Sequence, residues 1–347
     1  MKRFAIFVFL LVGVAAFAQQ RGQEPAPTAQ PPGGGGRGRG LTPEQQAALA
    51  AQTELEKNPP QIPYDAVALP LMPTGHTIDE TGKYIKEWGQ NAYGFSFAHA
   101  IRFDKEDNLF VIDEGSNMVM KFNPQGLVTM VLGRKDEAVD YLERFLEEGR
   151  KTDPALLTGP GTGAGRGGSF GRPTDVAFDL QGDIFVADGY TNSRVAKFTK
   201  DGEFVKAIGT RGNQPGQFNT PHTIANDAKG NIYVGDRGNQ RIQVFDPDLN
   251  PIRVITNVRA PWAVCITPPN AQGQQFLFSA DAGGKIYKED LEGHLLGWFG
   301  TIGKRVGQFY WVHEMHCVSE NELYTGEAQN WRVQRITMRP APRTASK

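Results

Sequence analysis

Cysteine is nearly absent: Cys265 and Cys317 are the only two in 347 residues. A disulfide framework is thereby excluded as the source of stability, and a chain of this length buries enough apolar surface without one. The two lie at similar places in neighbouring repeats, so a single bridge is open in an oxidising compartment. Cysteine's strong tendency to be buried favours two interior thiols instead. Charge of one sign is also lacking, with 37 basic against 38 acidic side chains. That balance gives no electrostatic footprint for nucleic acid and no strong attraction to an anionic membrane. Histidine is scarce, at six. Long apolar runs are missing beyond residue 18, which excludes a membrane span in the mature protein.

The one apolar run that exists is N-terminal. Lys2 and Arg3 precede Phe4 to Phe17, and Ala16-Phe17-Ala18 closes the run with small residues two apart. This is the pattern of a signal peptide over residues 1–18, so the expected protein is exported, periplasmic or secreted, and begins near Gln19. Without Lys2 and Arg3 its charge is near −3. Residues 19–60 are rich in Pro, Gly, Gln and Ala, with Gly and Arg almost alone from Gly33 to Gly40. Such a linker cannot offset its ordering entropy by burial. Thr42-Pro43 followed by Glu, Gln, Ala and Leu predicts a short helix within it.

From residue 61 to 340 the chain repeats itself. The stretch from Ala100 (Ala-Ile-Arg-Phe-Asp-Lys-Glu-Asp-Asn-Leu-Phe-Val-Ile-Asp) aligns with those from Asp175 and Thr223, and weaker copies start at Trp262 and His313. Each copy has an apolar strand, a polar turn and a second strand ending in an acid. A third strand follows, and then a fourth. Short strands at a period of 40–50 residues predict four-stranded blades around an axis, an all-β propeller. Five repeats are readable. The last copy stops at its third strand, so a strand at Lys83–Gly89 is expected to pair with it and close the ring. Residues 64–80 are a candidate remnant of a sixth blade. Residues 134–170 read as an insertion, with an amphipathic helix over Asp136–Gly149 and a Gly-rich loop, and 341–347 as a tail.

In such a propeller the first strands line the axis, and the loops after the second strands open on the face where first strands begin. The residues at the starts of the first strands are His99, Thr174, His222, Trp262 and His313. Three imidazoles at equivalent positions are the ligand set of an open zinc site. The acid that leads each second-strand loop recurs (Asp113, Asp188, Asp236, Asp281, Glu327), which marks it as structural. Tyr190 and Arg237 in those loops are not shared between copies. A tyrosine there suits acid–base work, and an arginine suits a carboxylate. His316 reads as packing, and His294 and His76 as surface residues.

These strands resemble NHL repeats, a class whose propellers usually have six blades. The run Arg172-Pro173-Thr174-Asp175 to Asp188-Gly189-Tyr190-Thr191-Asn192-Ser193-Arg194 resembles the peptidyl-α-hydroxyglycine α-amidating lyases, as do Pro221-His222 and Asp236-Arg237-Gly238-Asn239. The resemblance implies Zn2+ on His99, His222 and His313, a catalytic Tyr190 and an active-site Arg237. It also implies a structural Ca2+. The implied activity is cleavage of the C–N bond of a carboxylate-bearing carbinolamide, small or peptidyl, to an amide and glyoxylate. The family's first repeat supplies a second arginine, and that repeat is missing here. Trp311 stands where the family has a methionine. The alternative is a non-catalytic propeller that binds a protein or glycan partner.

Overall fold

Apolar runs with polar turns between them form antiparallel ladders throughout the described part of the chain. The computed structural model describes residues 6–7, 61–69, 76–78, 83–89, 94–133, 170–256 and 258–339. The signal-peptide reading falls almost wholly outside these residues. So do the linker helix and nearly all of the 134–170 insertion.

Five four-stranded sheets follow one another as blades. Blade one runs Ala98–Phe103, Leu109–Asp113, Met118–Phe122 and Val128–Gly133, and blade two Asp175–Phe178, Ile184–Asp188, Arg194–Phe198 and Phe204–Ile208. Blade three is Pro221–Asn226, Ile232–Asp236, Arg241–Phe245 and Pro251–Ile255, and blade four Ala263–Ile266, Leu277–Ala280, Ile286–Glu289 and Leu295–Phe299. Blade five takes Val312–Ser319, Glu322–Glu327 and Arg332–Met338 from the C-terminal end and Tyr64–Leu69 from the N-terminal end. The second strands of blades one to four are buried along their whole length, because each lies between neighbouring blades. This is why they read as continuous rather than alternating apolar runs. Outer strands such as Val128–Gly133 and Pro251–Ile255 are largely exposed.

An N-terminal strand does close the ring, but it is not the one expected. Tyr64–Leu69 pairs with Arg332–Met338 in unbroken register from Tyr64↔Met338 to Leu69↔Val333. Tyr64 and Ala66 pack against the core of blades four and five, with the Tyr64 ring 4.8 Å from that of Phe299. Tyr84–Glu87 instead forms a hairpin with His76–Ile78, to which Ile6–Phe7 also pairs, giving a sixth, three-stranded sheet. Trp88, next to that hairpin, is buried beside Phe103 and Phe122 of blade one. Its large apolar ring ties the segment to the first blade, while Tyr64 and Ala66 pack Tyr64–Leu69 onto the open edge of the last.

The expectation of two free thiols is also overturned. Cys265 and Cys317 form a disulfide, with Cα atoms 5.8 Å apart. Each sits in the first strand of its blade. First strands of adjacent blades approach one another near the axis, which brings together two residues 52 apart in sequence.

The axis is polar. Arg102 of blade one donates from NH2 to Asp175 Oδ2 of blade two at 2.7 Å, and its NH1 lies 2.6 Å from Glu314 Oε1 of blade five. Asp175 Oδ2 also accepts from Thr223 Oγ1 and Ile224 N of blade three, and Thr223 Oγ1 accepts from Val264 N of blade four. One network therefore touches the first strand of every full blade. Burial raises both carboxyls against the pull of Arg102. Among the described residues no helix is long and apolar enough to cross a membrane.

Two outcomes follow from this packing. Replacing both cysteines by Ala should lower stability by about 2–4 kcal/mol in urea denaturation, since the bridge closes a long loop in the unfolded chain. Replacing Arg102 by Met should cost about 3 kcal/mol at pH 7, because two buried carboxylates lose their shared cation. A Met variant as stable as the parent would show the network to be energetically idle.

Candidate functional site

In blades one, two, three and five the loop that enters the first strand is held by a buried carboxylate at the end of the second. Asp113 accepts from the backbone nitrogens of Ser96 and Phe97, just ahead of His99. Asp188 accepts from Gly171 N, Asp236 from Asn219 N and Glu327 from Tyr310 N. All four acids are buried. Asp188 and Asp236 are each also paired with an arginine, Arg194 and Arg241. In these four blades the recurrent acid is thus more than a turn former, because it fixes the residues that lead into the first strand of its own blade.

Those residues converge. The ring centroids of His99, His222 and His313 are 4.5, 4.9 and 5.0 Å apart, and one ligand nitrogen from each lies within 4.8 Å of the others. His99 Nδ1 donates to the Thr174 carbonyl at 2.7 Å, and His222 Nδ1 to the Trp262 carbonyl at 2.8 Å. Each acceptor belongs to the next blade. These bonds place the ring proton on Nδ1 and leave Nε2 of His99 and His222 as the lone-pair atoms, the way a backbone carbonyl orients a metal-ligating imidazole. Burial lowers the pKa of all three histidines, that of His313 to about 4, and keeps them neutral at pH 7. Two nitrogens on one tetrahedral zinc are about 3.4 Å apart, so a movement of about 1 Å would close the set around an ion. The donor set fits zinc. The axial carboxylates Asp175 and Glu314 are already held by Arg102, so they do not fit the structural calcium that the resemblance implies.

Tyr190 reaches over the cluster. Its hydroxyl is 3.1 Å from His222 Nε2 and 3.4 Å from His99 Nε2. Burial pushes it up to about 12, while Arg237 pulls it down. The preceding glycine is dictated by packing, since a Cβ at Gly189 would stand 2.0 Å from the Pro221 carbonyl oxygen. Arg237 begins a 3-10 turn, Arg237–Asn239, and its backbone nitrogen donates to Thr220 O. Its guanidinium carbon lies 4.3 Å from the Trp262 ring centroid and 5.3 Å from that of Tyr190. The residue is buried, and among the described residues no carboxylate forms an ion pair with it. Its side chain hydrogen-bonds Tyr190, and a buried cation without a carboxylate partner is one that an anion would stabilise.

Reading the sequence missed two charged residues of this mouth. Glu114 is buried 3.7 Å from His99 Nε2, and Arg172 pairs with it and lies 4.6 Å from the Tyr190 ring centroid. Glu114 occupies the same loop position as Arg237, and that comparison between repeats was the signal available. Trp262 and Trp311 meet at 4.9 Å, giving the mouth an aromatic side against which Arg237 stacks. His316 is not part of the cluster. His294 is exposed and bonded to Asp290, a surface residue as expected. The side chain of His76 lies outside the described residues.

Known proteins resemble this chain in part. A family model described as a 6-bladed beta-propeller matches residues 170–282. Peptidyl-alpha-hydroxyglycine alpha-amidating lyase 1 of Drosophila melanogaster is 34% identical over 125 residues, which cover 36% of this chain and 18% of that protein. Peptidylglycine alpha-amidating monooxygenase of Rattus norvegicus is 29% identical over 285 residues, or 72% of this chain and 28% of its own length. The chain thus spans under a third of these two relatives. An auxiliary nutrient binding protein from Bacteroides ovatus has the same fold, with a TM-score of 0.52 and 12% identity over 76% of this chain and 64% of that one. The chain is an all-β propeller similar in sequence to proteins named α-amidating lyases.

Proposed function

We propose that the protein is an exported, zinc-dependent carbon–nitrogen lyase acting on N-acyl-α-hydroxyglycines, with His99, His222 and His313 as the metal ligands. The observation that carries the reading is the convergence of three neutral imidazoles beneath the Tyr190 hydroxyl, beside the unpaired Arg237. The names of the relatives support the same chemistry. Export is supported by the N-terminal pattern and by the Cys265–Cys317 bridge, which suits an oxidising compartment.

The reaction converts an N–CH(OH)–COO⁻ centre to an amide and glyoxylate. The hydroxyl loses its proton, the C–O bond becomes C=O, the C–N bond breaks, and the departing nitrogen gains a proton. Zinc, when bound, would supply a Lewis acid that makes the substrate hydroxyl more acidic. Tyr190, protonated, stands where its Oη can give its proton to the leaving nitrogen as it takes up the one the hydroxyl loses, so that it ends as it began. Arg237 holds the carboxylate through parallel hydrogen bonds and so fixes which bond lies over the histidines. The low histidine pKa values keep the imidazoles as donors below pH 6.5.

Purified protein is expected to carry one zinc per chain by elemental analysis and to retain it at pH 5.5. His222→Ala should lose it, whereas the double cysteine variant should not. Zinc-loaded protein should release glyoxylate from α-hydroxyhippurate, and Tyr190→Phe should reduce turnover at least about a hundredfold with zinc still bound. Stoichiometric zinc without any glyoxylate release would favour a non-catalytic propeller that binds a protein or glycan partner.

A further inference from the structure

Arg172 sits two residues before Thr174 of blade two, the place held by Thr220 ahead of His222 in blade three and by Trp311 ahead of His313 in blade five. All three have left-handed backbone, with φ of 60°, 62° and 52°. The conformation therefore belongs to the repeat, and only the choice of side chain belongs to the position. In Arg172 that backbone is pinned on both sides. Its nitrogen donates to Asn117 Oδ1 at 2.7 Å, and its carbonyl accepts from Tyr190 N at 3.5 Å. The guanidinium is thus registered directly against the tyrosine of the site.

Its partner is unusual. Glu114 is 5% exposed, so an acid has been buried within reach of the histidine cluster. Arg172 donates to it from Nε and NH2, and both bonds go to a single oxygen, Oε1. The other edge of the guanidinium, with NH1, stays open, and the Arg172 side chain is 53% exposed at the rim. Glu114 Oε2 turns the other way, to 3.7 Å from His99 Nε2. Arg172 and Arg237 stand 4.6 and 5.3 Å from the Tyr190 ring centroid, so two guanidinia flank one aromatic ring of the site.

We infer that Arg172 is a second substrate-carboxylate residue, and that Glu114 is its internal counter-ion, holding the guanidinium in place while the site is empty. This inference rests on the proposed acid-bearing substrate. It adds a residue from a different blade to Arg237. A carboxylate entering the mouth meets Arg172 at the rim, through its open edge, and Arg237 deeper in, where the cation is buried without a carboxylate partner among the described residues. Glu114 then sets the affinity, because its negative charge competes with the ligand for the same guanidinium. Esters and amides of the same acid would gain nothing from either arginine.

The test uses hippurate, which has the carboxylate and acyl group but no hydroxyl, and so reports binding without turnover. Calorimetry on zinc-loaded protein should show Arg172→Ala binding hippurate about tenfold more weakly than the parent, the worth of one charge-assisted hydrogen bond or more. Arg172→Lys, which keeps the charge, should recover part of the loss. Glu114→Gln should act in the opposite direction and bind hippurate more tightly, because the competing charge is gone while the side-chain shape remains. Hippuramide, lacking the charge, should distinguish none of the variants. With α-hydroxyhippurate the Arg172→Ala effect should fall mainly on KM, and less on kcat. Should the parent bind hippurate yet release no glyoxylate, the lyase reading fails and the carboxylate site is still decided by the calorimetry. Equal hippurate affinity in parent and Arg172→Ala, no hippurate binding by the parent, or weaker binding in Glu114→Gln would each overturn the inference, the last by showing the pair to be only structural.

Discussion

A buried carboxylate at the end of a second strand is the contact on which the rest of this molecule depends. Asp113, Asp188, Asp236 and Glu327 each accept a hydrogen bond from the backbone of the loop entering the neighbouring first strand. Burying an acid is costly unless its lone pairs are filled, and here they are filled by backbone N–H groups, amides and arginines. The interaction recurs in four of the five blades, so the loops that carry His99, Thr174, His222 and His313 are delivered to equivalent places. The side chains carried by those loops can then differ without moving the frame.

The site is built by breaking that symmetry. Around the axis the strand-start positions read histidine, threonine, histidine, tryptophan, histidine. Thr174 and Trp262 contribute their carbonyls, and these accept from the imidazoles of the blade before. Side chain and backbone thus alternate, with the carbonyls orienting the rings and the rings presenting their outer nitrogens to one point. Above them the loops after the second strands bring Glu114, Tyr190 and Arg237 from three successive blades. The low dielectric of this buried pocket keeps the imidazoles neutral and the tyrosine protonated.

Below the histidines the axis is occupied by charge of its own. Arg102 spans the carboxylates of blades two and five, while Asp175 reaches blade three and, through Thr223, blade four. A propeller must join blades that share no strand, and here a guanidinium with donors on several edges provides part of that join. Near the same axis the Cys265–Cys317 bridge links blades four and five covalently. Closure of the ring therefore combines three devices: a shared last blade, an axial ion network and one disulfide.

Much of this was readable in one dimension. Strand runs of five residues, glycine and asparagine turns and the recurring acid specified a four-stranded repeat, because those are local demands of β geometry. Repetition also made His99, His222 and His313 equivalent before any coordinates, and with them the face that Tyr190 and Arg237 share. Other features depend on which blades meet, and no local pattern carries that. Lys83–Gly89 and Tyr64–Leu69 both look like the missing strand, and Trp88's fit beside Phe103 and Phe122 decided between them. Whether Cys265 and Cys317 bond turned on a 5.8 Å approach of two strands 52 residues apart. Arg102, Arg172 and Glu114 are ordinary charged residues in sequence. Only the tertiary structure placed them on the axis and at the mouth, where low dielectric and a neighbouring blade give each charge its partner.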